Sequence, residues 1–439
     1  MQLYSLTFLY LFLPVSLALF LIVPARWRSA ALFWISAAFY ALAQPGHFPM
    51  FCAVLALSYA LSEGMRRAEA RPRLRKSLYI FGIVANASVM IWFSALNQIT
   101  GQAVPLGTMV VAFTSLGYLV DVYKYDAEYE TNFFRFGLFL GFFAKLYRGP
   151  LVRIDNLWKK PLSPETTLSQ IGDGLAKFIR GLAKYLLLSV PIGKVCAELK
   201  AADELTVVGA WMVMITFAMK IFFDLSGFCD MARGLGLCFG LELPKNFWFP
   251  FQSGSVTEFF SRFNMTVTEF FHYYVYDNLK SEKPTPLQYA VNTSLVCMLA
   301  GVWFGIRMNF IVWGVYIAAF ILLEKWFLGR YLERIPKFFA GIYTFCVTML
   351  SMVIFSADSL TKVPRYFGAM LGLGASFSTA ETAYDLSGSM IPLVAGAILL
   401  TNFMSMLIHR LRRRSPAAAG ASDLVVSTVL LALCTAYLL

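Results

Sequence analysis

The residues best suited to chemistry lie in three blocks of sequence between Phe222 and Gly314. The blocks read FFDLSGFCDMARGLGLCFG, FPFQSGSVTEFFSRFNMTVTEFFHYYVY and GVWFGIRMNFIVWG. Acid–base chemistry on a hydroxyl group needs a base, and the imidazole of histidine, with a pKa of about 6.5, suits that task near neutral pH. The chain has three histidines, and of these only His272 lies in the blocks. His272 is therefore the candidate base, although a lone histidine in a helix is more often a hydrogen-bonded structural residue.

Carboxylates in the first block are accompanied by cations at helical spacing. Lys220 lies four residues before Asp224, and Arg233 lies three residues after Asp230. Residues three or four apart share a helix face, so each pair could neutralise itself in an apolar environment. Asp224 is then either half of a structural ion pair or a polar group in the wall of a substrate channel.

The stretch from Lys245 to Tyr276 is unusually polar for a segment between apolar runs. Ser255, with Glu258 three residues later, predicts a capped helix that begins at Val256. Such a helix either lies on the membrane interface as an amphipathic surface helix or dips into a water-filled cavity. Both alternatives stay open from these residues alone.

The composition identifies the class of protein that must position these blocks. Of the 439 residues, 59% are hydrophobic and 14% are charged, and the mean hydropathy is +0.65. Soluble domains need more surface charge. Apolar runs recur along the chain without the alternation that is typical of barrel strands. We therefore expect an all-α, polytopic membrane helical bundle with re-entrant or interfacial helices around a central cavity.

The apolar runs predict about nine to twelve membrane spans. We expect them to form one integral-membrane domain over residues 1–439. Three runs are shorter than a full crossing and suit re-entrant or buried helices, namely Leu32–Leu42, Phe133–Leu146 and Leu182–Ile192. Leu3–Val23 has no basic segment before it and no small-residue cleavage site after it, which favours an uncleaved first span over a signal peptide.

Basic residues predict the orientation of the chain. Six Lys and Arg side chains lie between Arg66 and Lys76, and short basic loops stay on the cytoplasmic side. If the turn Gln44–His47 faces out, the N-terminus lies outside. A second basic cluster at Arg410 and residues 412–414 should also be cytoplasmic. These loops account for much of the net charge of +12, which favours contact with anionic membrane lipids over binding of nucleic acid.

The seven cysteines are scattered, and none forms a CxxC pair. This spacing predicts neither a disulfide framework nor a zinc site. With so few histidines, we expect no metal site and no bound cofactor.

The three blocks resemble the central motifs of the membrane-bound O-acyltransferase family. Further strings match its bacterial branch, which includes alginate O-acetylation and teichoic-acid D-alanylation proteins, in order and spacing. They read FLYLFLPV, ISAAFYALAQP, VPLG, GYLVDVYK and FFAKLYRGPLVR. The resemblance is strongest over residues 1–330, and residues 331–439 supply additional C-terminal spans.

The resemblance implies a central tunnel in which a cytoplasmic acyl donor meets an acceptor from the other side. The family usually carries a histidine in the second block and another between Trp and Gly in the third, where this chain has Asn264 and Phe304. Neither side chain can act as a general base. The residues that we expect to line the substrate site are Asp224, Ser226, Ser253, Arg262, Trp303 and Asn309.

Two functions follow from the resemblance. The first is transfer of a small acyl group from a thioester, acetyl-CoA or an acyl-carrier protein, to a cell-surface polymer or an extracytoplasmic acceptor protein, with His272 or another group as base. The second is a pseudoenzyme that keeps the fold and serves as a scaffold or regulator of surface-polymer assembly. Either protein would reside in the bacterial cytoplasmic membrane.

Overall fold

A computed structural model of the protein describes residues 1–125, 127–153, 166–202, 204–282, 284–414 and 416–439. Over these residues the chain forms helices and no strand. The prediction of an all-α membrane protein is confirmed. The chain divides into two compact units, and the expectation of one domain over the whole length stays a prediction.

The first unit consists of Met1–Leu182, Phe228–Lys245 and Leu438–Leu439. A π-helical turn at Phe8–Phe12 precedes its first α-helix. The helices are α1 (Leu13–Ile22), α2 (Arg28–Ala43), α3 (Phe48–Arg67), α4 (Pro72–Thr100), α5 (Thr108–Lys124), α6 (Phe133–Gly141) and α7 (Leu168–Ala183).

Aromatic rings form much of the core of the first unit. The Phe39 ring lies 5.8 Å from that of Phe8, 5.6 Å from that of Phe12 and 5.2 Å from that of Phe143. Phe8, Phe39 and Phe143 are fully buried. Because each ring removes a large apolar area from solvent or lipid contact and fixes its neighbours edge to face, the cluster holds the N-terminal helices together.

The basic segment Arg66–Lys76 contains only a short loop, because α3 ends at Arg67 and α4 begins at Pro72, and of its six cations only Arg71 lies in that loop. Arg66 and Arg67 occupy the last turn of α3, where cations interact favourably with the helix dipole. Both pair with Glu63 at 2.7 Å. Pro72 begins α4, at the position where its missing N–H costs nothing. The cytoplasmic location of this loop stays a prediction.

The second unit consists of Ala183–Gly227 and Asn246–Tyr437. The long helix α9 begins in this unit and ends in the first one. The helices are α8 (Val190–Ala201), α9 (Val207–Cys238), α10 (Val256–Arg262), α11 (Met265–Phe271), α12 (Asp277–Leu279), α13 (Pro286–Val302), α14 (Met308–Leu323), α15 (Gly329–Leu332), α16 (Lys337–Ser356), α17 (Val363–Met370), α18 (Ala380–Gly388), α19 (Met390–Leu400), α20 (Phe403–Arg414) and α21 (Pro416–Leu438).

Six helices among the described residues are long and apolar enough to cross a membrane, or seven if the bent pair α18 and α19 counts as one span. The six are Pro45–Arg67, Pro72–Thr100, Val207–Cys238, Met308–Leu332, Lys337–Ser356 and Gly420–Leu438. The sequence predicted about nine to twelve, a count that rests on apolar runs of about twenty residues.

The smaller number has a structural reason, because several apolar runs form helices that are too short. The run Leu3–Val23 gives a helix only over Phe8–Ile22, and the run Phe133–Leu146 gives the nine-residue α6. The run Leu182–Ile192 lies in a continuous helical stretch with a π-helical segment at Lys184–Ser189, and this stretch is not among the helices that are apolar enough to span. An apolar run therefore does not by itself give a helix that is long and apolar enough to cross a membrane.

Candidate functional site

The second sequence block folds as two short helices with a kink between them at Asn264. The Ser255 hydroxyl accepts a hydrogen bond from the Glu258 N–H at 3.0 Å, so α10 begins at Val256 as predicted. The Glu258 carboxylate in turn accepts from the Gly254 N–H at 2.6 Å. Asn264 has φ 56° and ψ 49°, a left-handed conformation that asparagine adopts more readily than most residues.

A buried carboxylate from a distant helix also caps α10. Glu324 is 5% exposed and begins the π-helical segment after α14. Its Oε1 accepts from the Val256 N–H at 2.6 Å, and its Oε2 accepts from the Thr257 N–H at 2.9 Å and the Thr257 hydroxyl at 2.6 Å. Because free N–H groups and the helix dipole both favour an anion at a helix N-terminus, Glu324 fixes the start of α10 against α14.

The kink at Asn264 is held by side-chain amides. The Asn246 Nδ2 donates to the Asn264 Oδ1 at 2.8 Å. The Asn246 Oδ1 accepts from both the N–H and the hydroxyl of Thr266 at 2.9 Å, and the Asn246 carbonyl accepts from the Met265 N–H at 2.9 Å. All three polar side chains are buried. We refer to Asn246, Asn264 and Thr266 as the amide network.

The structure brings the start of the first sequence block together with the second and third blocks in the second unit. Phe222 of the first block and Phe259 and Phe263 of the second belong to one buried apolar cluster. Phe304 of the third block is partly buried and packs against the same cluster. The resemblance grouped the blocks by sequence order alone, and packing places aromatic residues from all three in one cluster.

Phe304 lies in a cage of aromatic rings. Its ring centroid is 5.0 Å from that of Phe355, 6.1 Å from that of Trp313 and 6.2 Å from that of Phe310. The Phe355 and Trp313 rings stand nearly perpendicular to it, an arrangement that aromatic pairs favour. We refer to these four residues as the aromatic cluster. A phenyl ring stabilises this packing and supplies no proton acceptor.

Asn309 and two glycines shape the surroundings of Phe304. The Asn309 Nδ2 donates to the Phe355 carbonyl at 2.9 Å, so this buried amide satisfies a carbonyl at the end of α16. A Cβ atom on Gly314 would lie 2.5 Å from the Cys297 carbonyl oxygen, which shows how closely α13 and α14 approach. Gly305 has φ 140°, a conformation that favours glycine. Trp303 is partly buried at the end of α13.

His272 lies in a different environment from Asn264 and Phe304. Its side chain is 56% exposed, and its Nδ1 lies 3.5 Å from the Asp277 Oδ2. Its ring stacks on Tyr276 at 4.6 Å within the π-helical segment His272–Tyr276. Burial raises the pKa of the Tyr276 phenol, and Tyr289 and Asp277 act in the same direction. These contacts favour the structural alternative for His272, and its role as a base stays a prediction.

The carboxylates of the first block differ in their pairing. Asp230 and Arg233 lie 3.7 Å apart, as expected. Lys220 forms no ion pair with Asp224 or with any other carboxylate in the described part of the chain, so the expected pair is wrong. The physical reason is that the Lys220 side chain runs along α8, where a Cβ on Gly193 would lie 3.3 Å from the Lys220 Cγ. Asp224 itself is buried.

Two of the expected substrate-binding residues have hydroxyl groups without a protein partner. Ser226 is 3% and Ser253 is 1% exposed, and within the described ranges neither Oγ has a hydrogen-bond partner. A buried hydroxyl without a partner is costly. The expectation that Ser226 and Ser253 bind substrate stays a prediction.

Arg262 lines a polar cavity of about 720 Å³ in the second unit. It pairs with Glu258 at 2.5 Å, and Glu324 forms another part of the wall. Over the residues that the structure describes, no three or more His, Cys, Asp and Glu side chains are grouped as they would be around a metal ion. Two of the charged groups in the cavity wall, Arg262 and Glu258, thus pair with each other.

Sequence reasoning missed two residues that organise the site. Asn246 counted only as one polar residue among many in its segment, and Glu324 was not singled out. An ionisable residue within an apolar run is a signal for function or for a structural partner, and Glu324 meets that condition. Its partners lie 67 and 68 residues earlier, so the sequence does not identify them.

Comparison with known families gives one match that covers more than half of the chain. Residues 80–361 match the model described as MBOAT, membrane-bound O-acyltransferase family. This range contains the three blocks, the amide network and the aromatic cluster.

Individual relatives extend the similarity over most of the chain. The chain is 27% identical over 427 residues to the probable alginate O-acetylase AlgI of Azotobacter vinelandii. The aligned region covers 92% of this chain and 84% of the relative. The chain is 25% identical to the peptidoglycan O-acetyltransferase of Helicobacter pylori, over 83% of this chain and 79% of the relative. It is also 25% identical to the teichoic acid D-alanyltransferase of Bacillus subtilis, over 50% of this chain and 60% of the relative.

Proposed function

Because the chain belongs to the membrane-bound O-acyltransferase family, we propose that it moves a small acyl group to a hydroxyl of a cell-surface polysaccharide or of an extracytoplasmic partner. The observation that carries this proposal is the similarity to a probable alginate O-acetylase over 92% of the chain. Similarity of this extent includes the spans and not only the motif blocks.

The donor in this proposal is a thioester on the cytoplasmic side, acetyl-CoA or an acyl-carrier protein. The acceptor hydroxyl attacks the thioester carbonyl, the carbon–sulfur bond breaks, and the thiol leaves with a proton. The unpaired hydroxyls of Ser226 and Ser253 are suited to hold polar groups of a substrate. The hydroxyl proton needs an acceptor, and neither Asn264 nor Phe304 provides one.

A specific observation favours a second candidate function. Phe304 is packed in the aromatic cluster, and Asn264 uses its Oδ1 within the amide network. Both positions at which the resemblance implies histidine are thus occupied by side chains with structural contacts. A protein of this kind would keep the fold and act as a scaffold or regulator of surface-polymer assembly.

Turnover by purified protein distinguishes the two candidates. The protein is placed in liposomes with acetyl-CoA, and release of free thiol is followed with and without alginate oligosaccharides as acceptor. The same assay is run on the double variant Phe304→His with Asn264→His. Histidine is smaller than phenylalanine and tolerates the left-handed conformation of position 264, so the double variant should fold. Help from a general base is worth about 10² to 10⁴ in rate.

Each result has a defined meaning. Acceptor-dependent turnover by the unaltered protein supports acyl transfer. If this turnover is lower in the double variant, the protein uses a different base, and the scaffold function is excluded. Turnover that appears only in the double variant supports a scaffold that has kept a site for acyl chemistry. Absence of turnover in both forms, with intact folding, counts against acyl transfer from this donor.

We also propose that the N-terminus lies outside a bacterial cytoplasmic membrane. In cells whose exposed Cys52 is replaced by serine, Arg71→Cys in the basic loop should be shielded from a membrane-impermeant maleimide. Gly46→Cys, in the turn Pro45–His47, is the matched position and should be labelled. Labelling at position 71 in intact cells would reverse the orientation.

A further inference from the structure

The polar cavity beside α10 has charges that the proposed acyl transfer does not use. Its volume is about 720 Å³. The cations in its wall are Arg262, Lys325, Arg330 and Lys337, and the carboxylates are Glu258, Glu324 and Glu333. All of these residues belong to the second unit.

Two of the carboxylates already have partners in the protein. Glu258 pairs with Arg262, and Glu324 accepts hydrogen bonds from the start of α10. Among the described residues, Lys325, Arg330 and Lys337 have no ion-pair partner. The wall therefore holds four cations and three carboxylates, a net charge of +1, and in the described part of the chain Glu324 and Glu333 are its carboxylates without a cation partner.

Exposed aromatic side chains flank these cations. Trp326 is 46%, Tyr331 is 67% and Phe338 is 73% exposed. Aromatic residues at the ends of membrane spans lie at the level of the lipid headgroups. Residues 333–336 join the candidate spans Met308–Leu332 and Lys337–Ser356. The cavity therefore opens where these spans meet the headgroup layer.

We propose that this cavity binds the phosphate of an anionic phospholipid headgroup, held by Lys325, Arg330 and Lys337. Basic residues next to a membrane span attract anionic lipids, and here the enclosing wall adds a cavity of defined size. A bound lipid at this place contacts the helix α10 that leads to Asn264.

The test measures lipid binding directly. Purified protein is titrated with phosphatidylglycerol or phosphatidylcholine, and bound lipid is counted by native mass spectrometry. The variant carrying Lys325→Gln, Arg330→Gln and Lys337→Gln should bind phosphatidylglycerol at least tenfold more weakly, because each cation contributes separately to attraction of the anion. Its binding of phosphatidylcholine should not change. If the triple variant fails to fold, the three single variants are measured instead. Each should lose less affinity for phosphatidylglycerol than the tenfold expected of the triple variant.

Arg334→Gln is the matched control, because Arg334 belongs to the same loop, is exposed and does not line the cavity. This variant should bind phosphatidylglycerol as the unaltered protein does. An equal loss in Arg334→Gln would overturn the proposal, since diffuse charge would then explain the attraction. Displacement of phosphatidylglycerol by free coenzyme A would also overturn it and would assign the cavity to a phosphate-bearing donor.

Discussion

The family resemblance implies histidine at two positions, and this chain has Asn264 at one and Phe304 at the other. Asn264 belongs to the amide network and Phe304 to the aromatic cluster, and different interactions hold the two side chains. Asn264 is held by directional hydrogen bonds to Asn246, and its backbone is left-handed. Phe304 is held by ring packing with Phe355 and Trp313, which is not directional to the same degree. One region has a polar interior, whereas the interior of the other is apolar.

The difference indicates which region is the more easily changed. Hydrogen-bonded groups that lose one partner leave a buried polar atom unpaired, and that costs about 1–3 kcal/mol. An apolar cluster tolerates replacement by a residue of similar volume at a cost that is usually below about 1.5 kcal/mol. We therefore expect variants in and around α10 to destabilise the protein more than variants at Phe304.

The largest effect is expected at Glu324, which supports the amide network through α10. Glu324→Leu leaves two backbone N–H groups and the Thr257 hydroxyl without their acceptor, so the free energy of unfolding should fall by about 3 kcal/mol. Thermal unfolding in detergent, followed by intrinsic fluorescence, measures it. Glu324→Gln keeps one oxygen acceptor and should lose about half as much. Equal stability of the Leu variant and the unaltered protein would show that the cap contributes nothing.

The next largest effect is expected at Asn246. Asn246→Leu removes the acceptor for Thr266 and the donor to Asn264, and unfolding should become easier by about 2 kcal/mol. Asn246→Asp keeps the acceptor but not the donor and separates the two contributions. Chemical unfolding in a detergent titration is the measurement. A loss below that of the Phe304 variant would contradict the ranking of the two regions.

A smaller effect is expected in the aromatic cluster. Phe304→Leu keeps an apolar side chain but gives up the edge-to-face contacts with Phe355 and Trp313, which should cost about 1 kcal/mol. The same unfolding assay applies. Phe304→Asn, which introduces an amide of the kind found at position 264, should cost more because its polar atoms would enter an apolar cluster. If the two variants lose the same free energy of unfolding, water must reach the side chain at position 304.

The smallest effect is expected at His272, outside both regions. His272→Ala removes an exposed ring that stacks on Tyr276, and surface substitutions usually change stability by less than about 0.5 kcal/mol. If His272 is structural, the rate of any acyl transfer should change by less than about threefold. Loss of a true general base would instead lower that rate by about 10² to 10⁴. A hundredfold loss of activity in a folded His272→Ala variant would restore His272 as the base.

Local features of the fold were predictable from the sequence, and distant contacts were not. The start of α10 at Val256 follows from Ser255 and Glu258, which lie within four residues of each other. The Glu324 cap depends on residues far away in the chain. The Lys220–Asp224 pair had the correct spacing, but the Lys220 side chain extends along α8 instead.

The sequence by itself determined that this is an all-α membrane protein, where α10 begins, and that positions 264 and 304 hold no base. These properties depend on composition, on local hydrogen bonding and on residue type, and none of them requires contacts between distant parts of the chain. Tertiary structure decided that Asn264 joins Asn246 and Thr266, that Phe304 packs on Phe355, and that Glu324 caps α10. Those outcomes depend on which surfaces meet when the helices pack, because burial makes each polar group find a partner and each ring a neighbour.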